Sequence, residues 1–167
     1  MENPSLPIFV AQLSDPALAL SPPGALAKYK TSRSYADLAA LGASGVVLYK
    51  LRPLSAEQRA SLMSIETPES KWLLAARLSV VSVVRENANV TADKVTGPED
   101  PLPEVTELPG GGKPRWPQLS DEGVAQLVAL GGGALLDELG ELALERATVH
   151  PRSLAPFGRR SRSGESP

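Results

Sequence analysis

The sequence predicts an α+β fold: a small domain with a short β element and two helical pairs, an extended N-terminal arm, a long irregular central loop and a flexible C-terminal tail. Three observations carry this. A β-branched, alternating run spans Gly45 to Arg52. Cap-and-stop signals of short helices recur on both sides of a central gap. Sixteen prolines and fourteen glycines in 167 residues raise the share of turn and extended segments, and a Pro/Gly/acid-rich gap from Glu86 to Gln118 separates two well-patterned apolar blocks. The expected organisation is therefore an arm over 1–33, a strand with helices over 34–85, an acidic Pro/Gly-rich loop over 86–118, a helical hairpin over 119–150 packed on 34–85, and a basic tail over 151–167.

In the arm, Pro4, Pro7, Pro16, Pro22 and Pro23 fix φ and remove donors, which favours extended chain over helix. Its apolar side chains, Ile8, Phe9 and Val10 above all, must find cover on this domain or on a neighbouring subunit. Ser34 offers an N-cap to a short helical turn over Tyr35–Leu41, stopped by Gly42. The strand follows, with Val47, Tyr49 and Leu51 on one side and Lys50 and Arg52 on the other, and Pro53 ends it. Ser55 and Gln58 form a capping box for a helix to about Ile65. Thr67-Pro68-Glu69 starts the next, which is expected to bury Trp72, Leu73, Ala76 and Val80. Beyond Leu78 the β-branched run to Val84 continues the helix or becomes a strand.

The central stretch from Glu86 to Gln118 holds six prolines and Gly110-Gly111-Gly112, with no sustained period. A structureless connection of that length marks a functional or mobile segment. A hairpin around Val90–Val105 fits it, anchored on Val95, Val105 and Leu108. Ser120-Asp121-Glu122 then caps a helix to Leu130, Gly131–Gly133 break it, and a second helix runs over Ala134–Ala147. Leu135, Leu139 and Leu142 form its apolar stripe, with Glu138, Glu141 and Glu145 on a solvated acidic face.

Net charge is −2, so wrapping of nucleic acid is not expected. Charge is nonetheless segregated. Lys28 to Arg59 carries six bases against two acids, and Glu86 to Glu107 carries six acids against one base. Opposed patches of this kind suit contact between copies of the chain, a homo-oligomer. The absence of cysteine removes disulfides, thiol nucleophiles and thiolate metal sites. No uncharged run approaches the ~20 residues that span a bilayer, so no membrane is expected, and the chain is expected to be made in a cytoplasm.

Reactive constellations are scarce. His150 is the sole histidine, placed just past a helix end. No Gly-x-Ser-x-Gly elbow occurs. The Gly110-Gly111-Gly112-Lys113-Pro114 stretch lacks phosphate-loop spacing. Asn89-Val90-Thr91 matches a glycosylation sequon with no export signal beside it. The expectation is no catalytic, cofactor-binding or metal residues, and no cofactor. The residues expected to contact a protein partner are Ile8, Phe9, Val10, Glu99, Asp100, Glu104 and Trp116.

Two stretches resemble small morphogenesis proteins of tailed bacteriophages, the tail assembly chaperone type or a minor virion protein. One is Val46-Val47-Leu48-Tyr49-Lys50-Leu51-Arg52-Pro53-Leu54-Ser55-Ala56-Glu57-Gln58-Arg59, a strand, turn and capped helix. The other runs from Leu119-Ser120-Asp121-Glu122 through Leu142-Ala143-Leu144-Glu145-Arg146-Ala147. The resemblance implies a non-enzymatic structural or assembly role, with tail or capsid subunits as partners. It implies the host cytoplasm during assembly, and the virion as a further location. The alternative is a small cytoplasmic regulatory or adaptor protein that binds one partner through the acidic loop.

Overall fold

A computed structural model describes residues 8–42 and 44–148. It is an α+β fold in which helices cover both faces of a four-stranded antiparallel sheet. Strand β1 (Ile8–Ala11) lies at one edge and pairs with β2 (Leu48–Leu51). Next comes β3 (Val80–Val84), and β6 (Glu99–Pro101) forms the other edge. A separate two-stranded hairpin joins β4 (Asn89–Val90) to β5 (Val95–Thr96).

Over residues 8–33 the chain is not an extended arm. Ile8-Phe9-Val10 is a strand of the chain's own sheet, with Val10 wholly buried. Asp15 then caps a 3-10 turn, Pro16–Leu20, and helix α1 runs from Pro23 to Ser32. The prolines that argued against helix occupy its first turn, where no N–H is needed and φ is already set. Helix α2 (Tyr35–Ala40) starts on Ser34, whose Oγ accepts from the Asp37 N–H at 3.2 Å. Helix α3 (Ala56–Met63) has the expected capping box, with Ser55 and Gln58 bonding reciprocally at 2.8 and 3.1 Å. Helix α4 (Pro68–Ser79) passes directly into β3, so the β-branched run resolves as strand. Trp72 and Leu73 are only half-buried, whereas Ala76 and Val80 lie in the core.

The stretch from Glu86 to Gln118 is likewise more regular than expected. It holds the β4–β5 hairpin and β6, and an isolated bridge joins Glu104 to Leu119. Nor is there a terminal hairpin. Helix α5 (Asp121–Thr148) is two helical segments meeting at Gly132, whose φ of 76° and ψ of −176° are the single non-helical pair inside it. One residue cannot reverse the chain, since helical hairpins need loops of about two to five residues. The result is a kink that lets both segments pack on one sheet face.

That face presents Val10, Tyr49, Leu51 and Val83 to Ala76 of α4 and to Leu127, Leu135, Leu139 and Leu142 of α5. The opposite face presents Ala11, Leu48 and Val84 to Leu18, Tyr29 of α1 and Leu38 of α2. The strand parity expected for Tyr49 and Leu51 holds, and Val47 packs beside them. Leu48 is equally buried because helices flank the sheet on both sides. Gly140 permits the α4–α5 crossing, since a Cβ there would run into the Trp72 backbone.

Candidate functional site

The residues expected to meet a partner fall in three places. Across the sheet face on the α1–α2 side, Phe9, Lys50, Ser82 and Pro101 are successive cross-strand neighbours. The Lys50 ammonium lies 5.7 Å from the Phe9 ring centroid and 3.1 Å from Glu99. The buried Ser82 hydroxyl also donates to Glu99. That hydroxyl and the Lys50 charge hold the Glu99 carboxyl below its ordinary range, against a smaller push upward from burial. Asp100 pairs with Arg85 at 3.2 Å and Glu104 with Arg52 at 3.1 Å. The acidic and basic segments that looked fit to join two copies thus meet within one chain. Ile8 and Val10 point to the sheet's other face, in the core shared with α4 and α5.

Trp116 lies elsewhere. It is half-buried against Leu62 of α3, Leu78 and Ala143. The Arg115 guanidinium stacks 4.6 Å from its ring and pairs with Glu57 at 2.8 Å. Ahead of this pair the chain turns tightly, with the Leu108 N–H donating to Gly112 O and the Gly111 N–H to Leu108 O, each at 2.8 Å. Gly111 and Gly112 have φ near 88° and 86°, so the triple glycine serves a tight turn. The turn leaves Leu108 exposed at its start.

A third feature was not foreseen. A cleft of about 420 Å³ opens between the end of α1 and the second segment of α5, lined among others by Leu13, Thr31, Arg33, Asp137, Glu141 and Leu142. Arg33 organises it. This residue closes α1 in the left-handed conformation, φ 51°, and is 7% exposed. Its guanidinium donates to Ala11 O at 2.6 Å and to Glu138 at 2.7 Å, and lies 5.2 Å from the Tyr29 ring centroid. Glu138 also accepts from the Leu13 N–H at 2.9 Å. The Tyr29 hydroxyl accepts from the Ala11 N–H at 3.0 Å, so the outer edge of β1 is capped there by side chains. Glu138 is therefore no part of a solvated face, although Glu141 and Glu145 are exposed. Arg33 and Glu138 are 105 residues apart, and the only local hint is the i,i+4 spacing of Tyr29 and Arg33.

Burial, with the Asp15 and Glu138 charges adding to it, pushes the Tyr49 phenol up to about 12. Asp15 is itself a fastener: its carboxylate accepts from the Ala17 and Val47 N–H groups, each at 2.9 Å. Among the described residues no group of three or more His, Asp or Glu stands together to hold a metal ion. No helix among them is long and apolar enough to cross a membrane. His150 and the basic stretch over 151–167 lie outside the described residues. No protein-family model, curated protein or solved structure matches the chain.

Proposed function

We propose that this protein acts through protein–protein contacts, as a non-enzymatic structural or assembly protein of a tailed bacteriophage. Its partners on this reading are tail or capsid subunits, met in the host cytoplasm during assembly, with the virion as a further location. The observation that carries the contact role is the Arg115–Trp116 stack beside the projecting Leu108–Gly112 turn. Trp and Arg are the residue types that dominate the energetics of protein interfaces, and a tight glycine turn presents its neighbours at little ordering cost. Trp116 is anchored from below by Leu62 and Leu78, so its position is set before a partner arrives. The phage context rests on the resemblance of the two sequence stretches. An adaptor working through the acidic loop has less support, because Glu99, Asp100 and Glu104 each already face a cation within the chain.

The test is quantitative mass spectrometry of purified particles, with affinity purification of the chain from infected cells. A fixed copy number in particles supports a structural role. Co-purification of a tail or capsid subunit without incorporation supports an assembly role. Detection with neither overturns the phage reading. Leu108→Glu and Arg115→Ala sit at exposed positions, and together they should weaken capture of the subunit by at least about tenfold, roughly one interface hot spot's worth. Unaltered capture would remove this surface from the contact.

A further inference from the structure

The second segment of α5 is joined to the rest of the molecule by a hinge of one residue. Gly132, with φ 76° and ψ −176°, alone turns residues 133–148 onto the chain's own sheet face. Nothing packs against Gly132 to hold the bend, since a Cβ there would meet open space. Return of this one residue to helical φ and ψ makes Asp121–Thr148 a single rod of about 42 Å. The Gly131 carbonyl is held in the bend by Gln12, whose Nε2 donates to it at 3.2 Å. In an unbroken helix the same carbonyl takes the Leu135 N–H.

In a lone chain, burial opposes that straightening. Leu135, Leu139 and Leu142 are buried, and withdrawing them also bares Tyr49, Leu51 and Val83. Polar contacts tie the segment to the same body. Glu138 accepts from the Arg33 guanidinium and the Leu13 N–H, and Arg146 donates to Arg33 O. Every one of these partners precedes the hinge, so a second copy can supply all of them in the same geometry. Exchange of an identical element keeps the buried contacts, and short hinges under strain favour it. We propose that the chain forms a domain-swapped dimer, in which α5 straightens at Gly132 and residues 133–148 of each copy close the sheet of the other. The partner is a second copy, joined through the contacts that close the monomer and not through opposed charge patches. This inference does not depend on the phage reading.

Two substitutions at the hinge of the full-length protein push in opposite directions. Gly132→Ala penalises the positive φ of the bend and favours helix. With two hinges relieved per dimer, the association constant should rise at least about tenfold over wild type. Gly133→Pro removes an N–H that an unbroken helix needs and holds Gly132 away from helical ψ. Position 133 opens on free space and starts the second segment, where proline is tolerated, so the bent monomer is kept. Size exclusion with light scattering over a concentration series should show monomer and dimer for wild type. It should show mainly dimer for Gly132→Ala and monomer alone for Gly133→Pro. Exchange itself is read by charge reversal in the Gly132→Ala background. A chain with Arg33→Glu and a chain with Glu138→Arg each face like charges at this contact when alone. In a swapped heterodimer of the two, both contacts are oppositely charged. After joint refolding, native mass spectrometry should show the heterodimer in preference to either homodimer. A Gly132→Ala chain that stays monomeric, or a Gly133→Pro chain that dimerises as wild type does, would overturn the proposal. So would a mixture without preference for the heterodimer, which would assign association to an outer surface.

Discussion

Arg33 combines a backbone conformation that non-glycine residues seldom adopt with a guanidinium tied to α5 and β1. The ion pair is what repays the burial, since a lone charge in that position would be strongly unfavourable. Arg33→Met should therefore lower stability by about 2–3 kcal/mol, somewhat under the loss for a fully buried pair because Glu138 keeps some contact with water. Urea denaturation checks this, and Glu138→Gln, which preserves hydrogen-bonding capacity, should cost less. Tyr49 supplies a pH signature. Its folded-state pKa of about 12 lies above the ordinary value of 10, so the native protein holds that proton more tightly than the unfolded chain. The associated stability is complete below pH 10 and is lost as pH rises toward 12. Tyr49→Phe should flatten the fall of the urea midpoint over that window.

Among the elements, the kinked helix depends most on one position. Gly132 adopts φ 76° with ψ −176°, a region open in practice to glycine alone. Gly132→Ala should cost about 1–3 kcal/mol. Its neighbour Gly133 lies in helix with open space around its Cα, so Gly133→Ala should stabilise by about 0.5–1 kcal/mol. Thermal unfolding of the two variants should move in opposite directions, and a common direction would refute the kink as described. The caps at Ser34 and Ser55 and the parity of Tyr49 and Leu51 were legible in the sequence because they are local. Helix α1 was not, because Pro22 and Pro23 read equally as breakers and as first-turn residues. The hairpin expected around Val90–Val105 is shorter, Asn89–Thr96, and includes Val95 but not Val105 or Leu108, while the three-residue β6 escaped notice because its existence depends on pairing rather than on pattern.

Over the whole molecule, opposite charges segregate in sequence and recombine in space. Lys50–Glu99 and Arg52–Glu104 join segments that read as separate patches, and Arg85 pairs with Asp100 across β3 and β6. The Trp116 surface was half legible: an aromatic in a glycine-rich loop is visible, while its seat on Leu62 and Leu78 is a tertiary fact. The Arg33 cleft left only the Tyr29–Arg33 spacing in the pattern, since its ion pair joins residues more than a hundred positions apart.

The kink also bears on how the chain emerges during synthesis. Every strand of the sheet and α4 precede Gly132, so the sheet can pair while the second segment of α5 is still inside the ribosome. Until Leu135, Leu139 and Leu142 arrive, part of the cover over Tyr49, Leu51 and Val83 is missing. A chain halted at Gly132 would carry a complete sheet with a partly bare apolar face, the kind of species that aggregates or recruits a holdase. The helical segment after Gly132 thus completes the cover of this sheet face.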